Sequence, residues 1–514
     1  MTRTLQLMLV GAGPHARRTF IPHLIELGRR FHAEIAVVVD LEESRDLVEE
    51  ACYDRGLTPR FIWAEPFCDP EMPESLADRL DRVADREDLD AVLISTPPEV
   101  HKAYAMWALR HGLSVFMDKP ISTRRDAAND PQAAYGIYQD YLDLRQAYDA
   151  LQPRRSTGFV VNSHRRFHAT YLEVIEQITD VRDKTGCPVT SIYSTHCDGQ
   201  WRLPSELVDI DYHGYNQGFG KASHSGYHFF DTAAQFYLSG ATEEKKAETA
   251  EIFSTFVHPR ALLHQLNEDD YRRLFPEYGQ ISRYSYPELE NLYDGYGEID
   301  AFADIALRKA GEVVGHLSLH LLHNSFSQRS WPLPNMADLY KANGRVRHEF
   351  HTLQQGPFQN IQIHSFQAKG GRGSEGDDSD YAMGGNNHWD IHVFRNAELI
   401  GGERYEKIAV DDLVSRSQER LVVEDIKKSG LVEFLRFLNG DLEKHLLRSN
   451  IDQHELPAAL MSGIYLSHIR RQTQQHPTVT FDMRSGRFLP ETLPGQHPER
   501  SKRERPVWSL STAS

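Results

Sequence analysis

Four short segments hold residues whose types and spacing can do chemistry. Leu7–Ala16 reads LMLVGAGPHA, an apolar run entering G-x-G-x-x-A. Gly11 permits a tight turn there, and Gly13 lets the backbone approach a pyrophosphate at the next helix N-terminus, with Pro14 and His15 following. A second apolar run ends at Asp40, which is placed to accept hydrogen bonds from an adenosine ribose 2′-OH or to cap the segment Leu41–Glu50. Ser95–His101 (STPPEVH) and Val115–Pro120 (VFMDKP) each follow a further apolar run, and His224–Asp231 reads HSGYHFFD. Asp231, three residues after His228, would share its helical face. Taken singly, Lys119 would cap a strand end and His228 would be a core histidine.

Elements must position these groups, and the pattern of apolar residues supplies them. Leu5–Val10, Glu34–Val39, Asp90–Ser95 and Ser114–Met117 are short, continuous apolar runs that alternate with helical segments such as Ala16–Arg30 and Glu99–His111. Such strands belong to a parallel sheet covered on both faces, and right-handed crossovers make it doubly wound. Pro131–Leu151 predicts an added helix near 123–152. Thr157–Val161 predicts a strand and His168–Arg182 a helix. From Pro188 the period changes to two, at Val189–Thr195, Ile252–Val257, Ile299–Ala306, Glu312–His320, Val346–Leu353, Ile361–Phe366 and Trp389–Phe394. Strands buried on one face make an open, mainly antiparallel sheet with helices on its covered side. Gly370–Asn387 has a loop-like composition, and Leu431–Leu447 and Leu456–Gln475 read as closing helices. The expected domains are therefore 1–155, 156–490 and a frayed tail, 491–514.

The 514 residues are 40% hydrophobic and 25% charged, enough for two large cores. Fifty-seven basic against 74 acidic residues leave a net charge of −17, a poor start for binding DNA or anionic membranes. Four cysteines without metal or disulfide spacing, and no apolar stretch of membrane length, point to a protein of a reducing cytoplasm. The N-terminus has no signal-peptide pattern. With 26 histidines, chance pairs are common. His224 and His228 at i, i+4 lack an acidic third ligand at metalloprotease spacing, so no metal is expected.

Together the segments resemble the Gfo/Idh/MocA family of nicotinamide-dependent oxidoreductases. The matching stretches are Thr96-Pro97…His101, Asp118-Lys119-Pro120, and His224…Gly226…His228…Asp231, with NSHRRF (Asn162–Phe167) similar to the family's Arg-Arg-Phe stretch. Asp118 stands where the family has Glu, His224 where it has Asp, and the chain is well over a hundred residues longer. The extra material falls near 125–150, 205–220, 258–297 and 325–390. The resemblance implies a Rossmann domain that binds NAD, less readily NADP, through Gly11, Gly13, Pro14, His15, Asp40, Ser95, Thr96, Pro97, His101, Asp118 and Lys119. It implies catalysis by Lys119 and His228, with His224 and Asp231 beside them. Arg166, His164, His196, Trp201 and His213 are the further substrate-pocket candidates. His224 and His228 are read as a proton relay.

The implied substrate is a small carbohydrate-like molecule, oxidised or reduced by hydride transfer. A second reading keeps the hydride transient, during removal of a glycosidic substituent. A third is a regulator that binds dinucleotide without catalysis. The resemblance also implies a homo-oligomer formed through the open sheet.

Overall fold

The computed structural model describes residues 3–494 apart from 211–212, 331–343, 369–382 and 418–422. Six strands form the first sheet: β1 Leu5–Val10, β2 Ala33–Leu41, β3 Arg60–Ala64, β4 Ala91–Ile94, β5 Ser114–Asp118 and β6 Phe159–Asn162. All pairings are parallel, in the order β3-β2-β1-β4-β5-β6. The order reverses between β1 and β4, which opens a crevice at the carboxyl ends of the strands. Alternate residues of β1 feed two cores. Met8 and Val10 pack with Leu80 and Trp107 on one face, and Leu7 and Leu9 pack with Phe20 and Leu24 on the other. Burial on both faces is why these strands are continuous apolar runs.

The parallel sheet extends past the expected boundary at 155. β6 is its edge strand, and Val160 is covered by Leu431, Phe434 and Leu435 of the helix Val423–Leu438, which returns from the C-terminal part of the chain. That helix sits eight residues before its expected span. The apolar pattern runs on, but Asn439 and Gly440, with Gly440 at φ 77°, end it.

The second sheet has ten strands: β7 Ser191–Cys197, β8 Thr249–Val257, β9 Asp300–Lys309, β10 Glu312–Leu322, β11 Val346–Gln355, β12 Gln359–Ala368, β13 Asn387–Arg395, β14 Tyr405–Ala409, β15 Val479–Asp482 and β16 Arg487–Phe488. Their order is β14-β13-β12-β11-β7-β10-β9-β8-β15-β16, antiparallel except for β7 beside β10. The seven strands expected from period-two alternation are present; β14, β15 and β16 are too short to show a period. Ala169–Thr185, Tyr227–Gly240 and Glu455–Gln472 cover one face. The last is buried continuously from Leu456 to Ile469 and so carries no amphipathic stripe.

Pro131–Leu151 forms as expected, with Asp130 capping it by accepting from the Gln132 amide. The insertion near 258–297 folds into four short helices. With Pro204–Asp209 they build a small core around Leu207, Tyr215, Leu289 and Tyr293. The loop expected over Gly370–Asn387 and the tail from 491 lie largely outside the described residues. All four cysteines are free thiols, and no described helix is long and apolar enough to cross a membrane.

Candidate active site

The nucleotide end of the crevice is built mainly from backbone. Gly11 has φ 84°, and a Cβ there would lie 2.6 Å from the Ser95 carbonyl oxygen, so the turn after β1 requires glycine. Gly13 precedes the short helix Pro14–Arg18, and a Cβ on it would meet nothing within 4 Å. Asp40 Oδ2 accepts from the Ala12 amide at 2.6 Å and Oδ1 from the Leu41 amide at 2.7 Å. It therefore braces the glycine turn and caps no helix. The hydroxyl of Thr96 is buried beside Gly11 without a partner among the described residues. Open space over Gly13, an unpaired hydroxyl and a half-buried carboxylate fit a dinucleotide. The ring of His101 is buried between the carbonyls of Pro120 (2.8 Å) and Thr96 (2.9 Å). It clamps the loops after β4 and β5 together, which corrects its expected place among the cofactor contacts. Pro97 is exposed, and Ser95 continues the sheet through its amide to Val10.

Lys119 leaves the end of β5 half-buried and donates from Nζ to the His224 carbonyl at 2.5 Å. Burial pulls its ammonium below the ordinary lysine value; Asp118 opposes this, and Arg165 and Lys427 add to it. Asp118 also faces His15 Nε2 at 3.4 Å and accepts from Asn162, so three strand ends meet at the lysine.

Across the crevice stands His228, buried in the first turn of Tyr227–Gly240 and edge-on to His164 at 4.2 Å. Burial, reinforced by His164, Arg165 and Lys119, holds His228 well below the usual histidine value, so the ring is neutral at pH 7. Its Nδ1 is buried without a partner among the described residues. A neutral imidazole within electrostatic reach of a lysine of lowered pKa can exchange a proton with a substrate hydroxyl.

The structure gives other expected residues different work. Asp231 accepts from Arg166 Nη2 at 2.6 Å and from Ser163, and Arg166 also donates to the Arg448 carbonyl and to Gln453. Both are buried, and each is fully engaged by the other's neighbourhood. The carboxylate thus anchors the NSHRRF turn to the helix and does not orient His228; Arg166 is its counter-ion and not a substrate ligand. Trp201 packs on Phe275 and Tyr271 in the inserted helices, away from the expected pocket role. His196 is buried against Phe229 and lies 2.9 Å from Lys221 Nζ.

His224 also departs from expectation. Ala222–Gly226 is a π-helical turn, so the i, i+4 spacing does not stack His224 over His228. His224 instead stacks on His213 at 4.1 Å, with its Nε2 3.1 Å from the Tyr215 hydroxyl. The proposed relay with His228 is replaced by this second group of rings.

Sequence reasoning missed the buried charges between the two. Lys221 pairs with Asp198 at 2.5 Å, and Asp198 also takes Arg345 at 2.5 Å, which holds its carboxyl well below the usual range against burial. Arg165 pairs with Glu349, which also accepts from Tyr171. A narrow pocket there is lined by His164, Arg165, Arg347, Glu349 and Trp389. The one signal available was Asp198 directly after the alternating run of β7.

The geometry now has a match among known proteins. Residues 5–135 fit the family described as oxidoreductase family, NAD-binding Rossmann fold. That match, to the Gfo/Idh/MocA family, lies in the first domain and spans about a quarter of the chain. An inositol 2-dehydrogenase of Arthrobacter sp. (strain FB24) is 30% identical over 182 residues, which is 35% of this chain and 42% of that protein. A 2,7-anhydro-N-acetylneuraminate hydratase of Mediterraneibacter gnavus is 34% identical over 92 residues, 18% of this chain and 22% of that protein. The matches thus span less than half the length of these curated relatives. Among solved structures, the WlbA dehydrogenase from Bordetella pertussis, in complex with NADH and UDP-GlcNAcA, superposes with a TM-score of 0.53 at 13% identity. That match covers 92% of this chain and 97% of that one, so the likeness in fold extends through the second sheet.

Proposed function

We propose that the chain is an oxidoreductase that moves a hydride between NAD(H) and a hydroxyl- or ketone-bearing carbon of a sugar, polyol or sugar-derived substrate. The observation that carries this reading is the pairing, across the crevice, of a lysine with lowered pKa and a neutral buried histidine above a glycine turn that fits a dinucleotide. A bound nicotinamide supplies the hydride acceptor. Lys119 holds the substrate oxygen with its ammonium. His228 takes the hydroxyl proton, and its desolvated ring returns it in the reverse direction. The inositol dehydrogenase among the relatives supports a polyol or sugar. Incubation with inositols, sugars and sugar phosphates plus NAD+, read as absorbance of the reduced cofactor, tests the proposal; failure with every member of the panel counts against it.

The half-buried Asp40 supports NAD over NADP, because Arg45, the first basic residue after it, is engaged by Glu42 and lies over Trp63. The hydratase among the relatives favours one alternative, in which the hydride is taken and returned within a cycle; net NADH then stays at zero. The outer face of the second sheet carries a row of rings, Phe302, His320, Tyr193, Phe350, His364 and His392. A second copy of the chain is the partner that this row suits, and four free thiols suit a reducing cytoplasm. Acidic net charge leaves nucleic acid and membrane surfaces as poor partners.

A further inference from the structure

Three histidines from three separate elements converge beside the lysine. His213 follows Pro204–Asp209, His224 lies in the π-helical turn, and His323 comes directly after β10. One ring nitrogen of each lies within 4.8 Å of the other two. The His213 and His224 rings are parallel at 4.1 Å, and His323 stands edge-on to them at 5.8 and 6.3 Å. His323 is 1% exposed, and its Nε2 has no hydrogen-bond partner among the described residues. Its other nitrogen, Nδ1, is 2.9 Å from the hydroxyl of Tyr215. A buried imidazole nitrogen left without a partner, on a ring grouped with two more imidazoles, is best satisfied by something outside the chain.

We propose that His213, His224 and His323 bind one divalent transition-metal cation, zinc by the chemistry of the donor set. Imidazole nitrogens suit zinc and its neighbours, whereas magnesium and calcium require oxygen ligands that this trio lacks. Three protein ligands leave a further position for water or a substrate oxygen, as in catalytic zinc sites. The Tyr215 hydroxyl fixes Nδ1 of His323, the outer-shell contact that orients a ligating ring. Tetrahedral zinc holds its nitrogens about 3.4 Å apart, so binding draws the three rings together by side-chain rotation. Burial keeps all three rings uncharged at neutral pH, the form that ligates. His224 would then offer its ring to the cation and its carbonyl to Lys119, joining the metal to the acid–base lysine through one residue.

The test uses the full chain, stripped by a chelator and titrated with zinc sulfate without nucleotide or substrate. Bound metal is counted by mass spectrometry, and cobalt(II) is substituted to read its visible absorption. The expected result is one zinc per chain and the intense bands of tetrahedral cobalt. His224→Ala and His323→Gln each weaken zinc binding roughly 100-fold and Tyr215→Phe roughly 10-fold. His228→Ala, in the neighbouring histidine pair, binds zinc as wild type does. Far less than one zinc per wild-type chain, with no tetrahedral cobalt bands, overturns the proposal even if the variants do not fold. Undiminished binding by folded His323→Gln also overturns it and makes the rings hydrogen-bonding groups of the cleft. The readout is metal content, so the result is independent of whether the dehydrogenase reading holds.

Discussion

The two walls of the crevice are made differently. On the parallel-sheet side the groups come from strand ends close in sequence, and much of the work is done by backbone: the Gly11 turn, the amides around Asp40 and the loops clamped by His101. On the opposite side they are side chains brought together from β7, β10, β11, a π-helical turn and a helix, and most are titratable and buried. Under the proposed function the first wall would recognise the dinucleotide by shape and the second would carry the proton chemistry, with burial setting its protonation states.

Perturbations should separate the two walls. Lys119→Ala is expected to lower turnover by roughly 10²–10⁴-fold, the usual worth of a positioned acid–base group. Dinucleotide affinity, measured by fluorescence titration, should be little changed. An active variant would move the chemistry from Lys119 to the second wall.

Asp231→Ala should act on the scaffold rather than on the chemistry. Removing one partner of a buried pair costs about 3–5 kcal/mol, because Arg166 keeps its charge. Urea denaturation should show this loss, while the folded fraction keeps turnover within a few-fold. A collapse of turnover without loss of stability would restore a direct catalytic role to Asp231.

On the first wall, the carboxylate of Asp40 should repel a 2′-phosphate by ~1–4 kcal/mol, or roughly fivefold to several-hundredfold in affinity. Titration of the wild type with NADH and NADPH reads this difference, and Asp40→Ala should narrow it. Equal affinities would leave Asp40 as a brace for the turn alone.

The smallest single contributions come from buried histidines. His168, His323, His454 and His468 are pulled down to about 3, mainly by burial. Between the ordinary value near 6.5 and about 3, the unfolded chain binds more protons than the native one. Stability is therefore full above pH 6.5 and falls as pH drops through that window, by up to about 2 kcal/mol per histidine at pH 5. Thermal unfolding from pH 8 to 5 checks the sign. A melting temperature that rises on acidification would mean that these rings are not held neutral.

The same contrast explains what could be read from the sequence. The glycine turn, STPPEVH and VFMDKP are local patterns, so the first wall, with Lys119 at its edge, was legible. Period-two alternation located seven strands of the second sheet. It could not show β14–β16, which are too short to display a period. His228 was legible from its motif, but its companion His164 was only a weak candidate, and Arg165 was passed over for Arg166. Which of two adjacent arginines faces a pocket is decided by the short 3₁₀ turn His164–Phe167, and residue type does not reveal it. His224 was misplaced because a π-helical turn has no clear sequence signature, and the His213–His323 contact depends on tertiary packing alone.

Deuterium tracing tests the central claim most directly. Polyols and sugars carrying deuterium at their hydroxyl-bearing carbons are incubated with the protein and NAD+, and the nicotinamide is analysed by mass spectrometry. The account predicts that deuterium moves from at least one substrate to the nicotinamide, whether or not NADH accumulates, and that Lys119→Ala slows the transfer roughly 100-fold or more. Saturable NAD+ binding with no transfer from any member of the panel would contradict it and leave a protein that binds dinucleotide without using it.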